Sequence, residues 1–205
     1  MKIFKILLLL ISVSLVSCVV VKHEEEKTEK PLILKFSPQP EMEMSDIMVR
    51  SDPGDMIAFI PDGWFLVNLE NEAPSDVISV AVNKEYTLSV VFRKIKKDEA
   101  YSKVISKEGL LGLARLSLEQ RVKKTAGSVQ LAGKYSQIDM GPREFAKYEF
   151  TNADKTMNGV SAVFISSLDE YYEMTVIPMN LTGIVPTSQY EINRVFSSVL
   201  ATVQY

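Results

Sequence analysis

The sequence predicts an α+β domain, an antiparallel β-sheet with a long central helix and a C-terminal helix packed on it. Three observations carry the prediction. Apolar residues come in short alternating runs between positions 55 and 95 and again between 129 and 177, the period of strands. Between Lys97 and Thr125 the period changes, with Leu111, Ala114, Leu118 and Val122 at helical spacing. Further on, Ile192, Val195, Phe196, Val199 and Leu200 form the i, i+3, i+4, i+7, i+8 stripe of a helix lying on a sheet.

The elements follow in order. Asp55-Met-Ile-Ala-Phe-Ile60 reads as a strand that stops at Pro61-Asp62-Gly63, where proline presets φ and glycine tolerates a positive one. Trp64–Leu69 is then expected to return as its hairpin partner. Val77–Val82 and Tyr86–Ile95 make a second hairpin across Asn83-Lys-Glu85. In its return strand Tyr86, Leu88, Val90 and Phe92 share one face, and Thr87, Ser89, Val91 and Arg93 share the other. The helix over 97–125 is expected to break near Gly109. Its basic end, Arg121, Lys123 and Lys124, suits the negative pole of a helix dipole.

Strands resume at Val129–Ile138, Arg143–Phe150, Val160–Ser166 and Tyr171–Ile177, with turns at Gly141-Pro142, Asn152–Lys155 and Leu168–Glu170. Val160, Ala162 and Phe164 fall on one face of their strand and Val163 and Ile165 on the other. A strand apolar on both sides is a central strand covered by a layer on each face. The closing helix opens with a capping box, Ser188 as N-cap and Glu191 three residues on, behind Pro186.

The first residues are of another kind. Lys2 and Lys5 precede an apolar run from Ile6 to Val16, which closes on Leu15-Val16-Ser17-Cys18. This ending resembles the lipobox of bacterial lipoproteins. The resemblance implies a signal peptide over 1–17, cleavage after Ser17, and a diacylglyceryl group on the Cys18 thiol that ties the chain to a membrane. A spanning helix is the competing reading, because Ile3 to Val21 approaches the ~20 apolar residues that a bilayer requires. Ser12, Ser14, Ser17 and the acidic run that follows argue against it. Val19, standing where an aspartate would be, looks like the pattern sorted to the outer membrane if the envelope has two. Residues 18–46 read as a lipidated N-terminus and flexible tether, rich in charge (Glu24–Glu26) and proline (Pro31, Pro38, Pro40). A single globular domain is expected over 47–205. Leu32–Phe36 is the apolar exception, a segment able to pack as a short edge strand.

Composition removes much chemistry. The chain of 205 residues holds one cysteine and one histidine. With Cys18 acylated and His23 inside Lys22-His-Glu-Glu-Glu-Lys27, the domain has neither a thiol nor an imidazole. Disulfides, zinc-thiolate sites and Ser-His-Asp or Cys-His catalysis are therefore excluded from it. With 23 Lys and Arg against 26 Asp and Glu, the net charge of −3 lacks the basic footprint of a nucleic-acid binder. No phosphate-binding glycine loop is present. Asp52, Asp55 and Asp62 lack the spacing of a calcium loop and read as solvated turns. No cofactor, metal or catalytic residue is expected, and no enzyme activity. A carboxylate-only hydrolase is the one catalytic alternative left. A carrier of a small apolar ligand, held between sheet and helix, is the other alternative. Trp64, Tyr171 and Tyr172 read first as core or rim packing and are weak candidates for a binding surface.

Ile60-Pro-Asp-Gly-Trp64, Arg143-Glu-Phe-Ala-Lys-Tyr-Glu-Phe150 and Phe196-Ser-Ser-Val-Leu-Ala-Thr-Val203 occur in the order early hairpin, central helix, Y-x-F strand, C-terminal helix. Together they resemble the PsbP-like superfamily, of PsbP and DcrB type, over about residues 47–205. The resemblance implies an α/β/α sandwich and a family whose members mostly bind or assist other proteins. The expected function is a lipid-anchored, non-enzymatic binding or assembly-assisting domain on the outer face of a bacterial membrane, with a protein partner in the envelope.

Overall fold

The two strand meanders join along a single seam. A computed structural model describes residues 31–69, 73–179 and 187–205; the lipobox with Ser17 and Cys18, His23 and Pro186 lie outside the described residues. Its strands are β1 (Leu32–Lys35), β2 (Met44–Arg50), β3 (Ile57–Pro61), β4 (Trp64–Leu66), β5 (Val77–Asn83), β6 (Leu88–Ile95), β7 (Val129–Leu131), β8 (Ser136–Met140), β9 (Arg143–Asn152), β10 (Asn158–Ile165) and β11 (Tyr171–Pro178). Its helices are α1 (Glu99–Lys124), between β6 and β7, and α2 (Gln189–Thr202), after β11. Nine strands form one sheet in the order β1-β8-β9-β10-β11-β6-β5-β4, with β7 also on β9. The seam is β6 against β11, running in antiparallel register from Tyr171 opposite Ile95 to Pro178 opposite Leu88.

Strand β10 is the central strand that its composition predicts. Val160, Ala162 and Phe164 enter the core on one side and Val163 the core on the other. On that second side α1 lays Leu113, Ala114 and Leu118 over Ala146, Tyr148 and Val163. On the first side α2 contributes Ile192, Val195, Phe196, Val199 and Leu200, all buried as the stripe requires. Ser188 caps this helix by accepting from the Glu191 amide at 3.2 Å. Arg143 closes its other end, donating to the carbonyls of Ala201 and Val203 at 2.9 and 2.6 Å.

Helix α1 does break at Gly109, which has φ 64° and ψ −149°. A side chain is strained at such a φ and glycine is not. The break lets Tyr101, in the first half, pack with Leu113 and Leu118 of the second against the same core. Glu108 and Arg115 form an ion pair across it at 2.8 Å.

Four expectations are corrected. The strands on either side of Pro61-Asp62-Gly63 are not hairpin partners. Strand β3 pairs with β2 in a separate two-stranded sheet, whereas β4 pairs with β5 in the main one. The turn therefore hands the chain from one sheet to the other. The strand expected over 129–138 is two, β7 and β8, both on the same partner β9 but interrupted around Gly133 at φ 87°. Residues 31–46 belong to the folded unit, which reaches back to Pro31, and not to a tether. Leu32–Lys35 takes the edge-strand alternative and pairs with β8 in parallel. Behind it, Phe36 meets the Phe196 ring edge-on at 6.3 Å, and the Glu41 amide donates to Ser198 at 3.0 Å. Last, Tyr86 leaves the face assigned to it, because its φ of 55° turns it out of the strand and leaves it exposed.

Gly159 offers a direct check on core packing. A Cβ there would run into the Phe150 ring. Gly159→Ala is expected to cost about 1–3 kcal/mol of unfolding free energy in urea titration. A wild-type midpoint would contradict the packing described.

Candidate functional site

The register of the seam sets Arg93 on β6 directly opposite Glu173 on β11. Both face α1, because they alternate with Phe92, Met174 and Tyr172, which point to the α2 side. Glu173 is fully buried and Arg93 nearly so. An ionised carboxylate in such a place must be compensated. Arg93 pairs with Glu173 through Nε, and Tyr148 on β9 donates its hydroxyl to the same carboxylate. Arg121, from the last turns of α1, reaches Glu173 Oε1 at 3.3 Å. Ser117 on α1 donates to Oε1 at 2.8 Å and accepts from Arg93 Nη2 at 2.8 Å. Arg121 also donates to Thr175 at 2.9 Å and lies over the Phe150 ring at 4.4 Å.

Burial is the largest single influence on Glu173 and opposes its charge. Arg121, Arg93 and the Tyr148 hydroxyl together outweigh it and hold the carboxyl at about 2. Burial, followed by the neighbouring Glu173 charge, pushes the Tyr148 phenol up to about 12, so it stays a donor. Within the cluster Glu173 itself is shut off from solvent. Its role is to bind the second half of α1 to the seam.

The network surfaces at one corner. Arg93 Nη1 lies 3.6 Å from Asp76 Oδ2, just before β5, and Lys124 Nζ holds the same oxygen at 2.7 Å. Burial works against the charge of Asp76, but Lys124 and then Arg93 overcome it and draw its carboxyl below the usual range. Asp76 stands in the wall of a cleft of about 710 Å³ between the end of α1 and the corner of the sheet. Lys94, Lys96 and Lys97 from the end of β6 line one side, and Gln120, Lys123 and Lys124 from α1 line the other, with Ser75 and Glu170 completing it. Five lysines thus meet two carboxylates. Glu170 pairs with Lys94 at 3.1 Å, and Lys97 pairs with Asp169 beside the cleft. A smaller hollow of about 360 Å³ lies between residues 34–41 and α2, walled by Phe36, Tyr190 and Phe196.

The three weak surface candidates are not on the surface, and the core packing favoured for them is what the structure has. Trp64 is 8% exposed, Tyr171 3% and Tyr172 1%, and all three are core residues. Trp64 belongs to the core on the α2 side, and the two tyrosines point to opposite faces of β11, as alternation demands. The Tyr172 hydroxyl is fixed by donating to Asp55 at 2.6 Å. Asp55, read as a solvated turn residue, instead turns inward and accepts from Ser51, Ser166 and Tyr172. Among the described residues, no three acidic or imidazole side chains gather as metal ligands. Under the middle of α1 the space between sheet and helix is filled by Leu113, Ala114, Leu118 and their partners. Sequence reasoning missed the cleft and the network behind it. Their signal was an arginine and a glutamate inside otherwise apolar strands, together with the basic cluster at 94–97.

The fold has a solved counterpart. The solution structure of cyanobacterial PsbP (CyanoP) from Synechocystis sp. PCC 6803 superimposes with a TM-score of 0.57 over 78% of this chain and 92% of that one, at 11% identity. A crystal structure from Bacteroides thetaiotaomicron VPI-5482 aligns over 77% of this chain and 47% of that one, at 13% identity, with a TM-score of only 0.35. Comparison with protein-family models and with curated protein sequences gives no match. The chain therefore has the PsbP-like α+β fold, a sheet between two helical layers.

Two outcomes test the network. Glu173→Ala leaves two arginines facing each other in the core and is expected to cost about 3–5 kcal/mol in chemical denaturation. Glu173 also sets an acid limit. Its folded carboxyl titrates near 2 against an ordinary value of 4.5, so its stabilisation is whole above that ordinary value and is lost as pH falls toward 2. Unfolding free energies measured from pH 7 down to 2 should show a shallower acid decline in Glu173→Gln than in the wild type. Parallel declines would remove Glu173 from the account.

Proposed function

We propose that this chain is a lipid-anchored, non-enzymatic binding domain on the outer face of a bacterial membrane, and that it binds a negatively charged partner group in the lysine-lined cleft. The observation that carries the reading is the convergence of five lysines on one concavity of a chain whose net charge is −3. Such a local field draws anions to one place while the rest of the surface repels them. The PsbP-like fold supports a binding or assembly role over catalysis. So does the state of the cleft carboxylates, since Asp76 and Glu170 are each held by a lysine and neither is free to act as a base. The anchor rests on the lipobox-like ending at Cys18, with cleavage after Ser17, and two or more acyl chains give stable attachment where one does not. In an envelope with two membranes, Val19 favours the outer one.

The two halves of the proposal are tested separately. Cys18→Ala should abolish incorporation of labelled fatty acid and leave the chain unprocessed or released; a processed chain that stays on the membrane would refute the anchor. Lys96→Glu with Lys123→Glu should abolish capture of envelope partners by the acylated chain while its urea midpoint is unchanged. Undiminished capture would place the binding surface elsewhere.

A further inference from the structure

Within that reading of the cleft as an anion site, we infer that the group it takes is a phosphate, free or carried by a lipid headgroup. The residues left uncompensated set the charge. Lys124 is matched to Asp76, Lys94 to Glu170 and Lys97 to Asp169. Lys96 and Lys123 have no ion-pair partner among the described residues, and they come from opposite walls, the end of β6 and the end of α1. Two unmatched ammonium groups on opposite walls can close on one anion from both sides, and the tetrahedral oxygens of a phosphate, free or esterified, face both walls at once where the two coplanar oxygens of a carboxylate do not.

The type of cation is compatible with a phosphate. The flat fork of arginine grips carboxylates and phosphates alike, and lysine meets either as a point charge. The arginine nearest this cleft, Arg93, is turned inward and committed to Glu173 and Ser117. What remains is lysine alone, a point charge with three donors that can close on a tetrahedral group from several directions. Shape agrees as well. The volume of about 710 Å³ falls in the range of small-molecule and headgroup sites. Ser75 and Gln120 add neutral hydrogen-bonding groups at the same wall.

An anchor at Cys18 would keep the cleft near a source of phosphate. The chain from Cys18 to Pro31 spans at most about 45 Å even when fully extended. Headgroups of the membrane that holds the acyl chains are then the phosphates at highest effective concentration. The buried network has a part in this site as well. Glu173 holds Arg121 and, through Arg93, Asp76 and Lys124, so the α1 wall keeps its distance from the β6 wall.

The test is lysine footprinting on the full acylated chain in lipid nanodiscs, with an amine-reactive acetylating reagent read by mass spectrometry. Phosphatidylcholine discs give the baseline. Added inorganic phosphate, discs containing phosphatidylglycerol, and a polyglutamate peptide are the three arms. The expected result is a severalfold loss of labelling at Lys96 and Lys123 in the phosphate arm, the phosphatidylglycerol arm, or both, with Lys84 and Lys155 unchanged. Protection by free phosphate identifies a soluble source as sufficient, and protection by phosphatidylglycerol alone identifies the membrane. Protection by polyglutamate alone would overturn the phosphate assignment and leave the anion site standing. Unchanged labelling in all three arms would overturn both.

Discussion

A carboxylate sealed away from water must either give up its charge or be surrounded by cations and donors, and Glu173 takes the second course. Its partners come from three separate elements, Arg93 on β6, Tyr148 on β9, and Ser117 and Arg121 on α1, all converging on β11. None of these groups can be removed without stranding another, so the requirement acts on the fold as a whole. It fixes the register of the seam between the two meanders, and it holds the second half of the broken helix on the sheet. Hydrophobic contacts such as Leu113 and Leu118 on Val163 and Tyr148 supply attraction there, but they tolerate sliding. A hydrogen-bonded ion cluster does not.

The same constraint shapes the surface. Arg93 spans from the core to Asp76, and Asp76 holds Lys124, so charge alternates from the buried centre to the rim of the cleft. The lysines of β6 and α1 face each other because the helix that carries half of them is tied down from below. A chain that is acidic overall therefore presents one basic concavity, whose position follows from its interior.

What could be read beforehand was local. The alternation in β6 and β10, the break at Gly109 and the Ser188 cap each depend on neighbours within a few residues, and each is present. What was missed depends on pairing at a distance. Nothing near Pro61 says that the strand before it will turn to β2 and the strand after it to β5. Arg121 reads locally as a helix-dipole cation, and its true partner lies on another strand, identified only by the register of β6 on β11. For Trp64 and the two tyrosines packing is the favoured local reading, but only the second layer decides between rim and core, and that layer buries them. The cleft lysines are visible as two basic clusters, 94–97 and 123–124, but only the fold-back at Gly109 and the ion network bring them to one opening.

The central claim is that Glu173 secures the second half of α1 and with it the cleft. Amide hydrogen exchange of Glu173→Gln against the wild type, at neutral pH and residue resolution, tests it most directly. The account predicts faster exchange confined to Leu110–Lys124 and the facing ends of β6 and β11, with α2 and β2–β3 unchanged. Equal protection in α1, or a uniform loss across both helices, would contradict it.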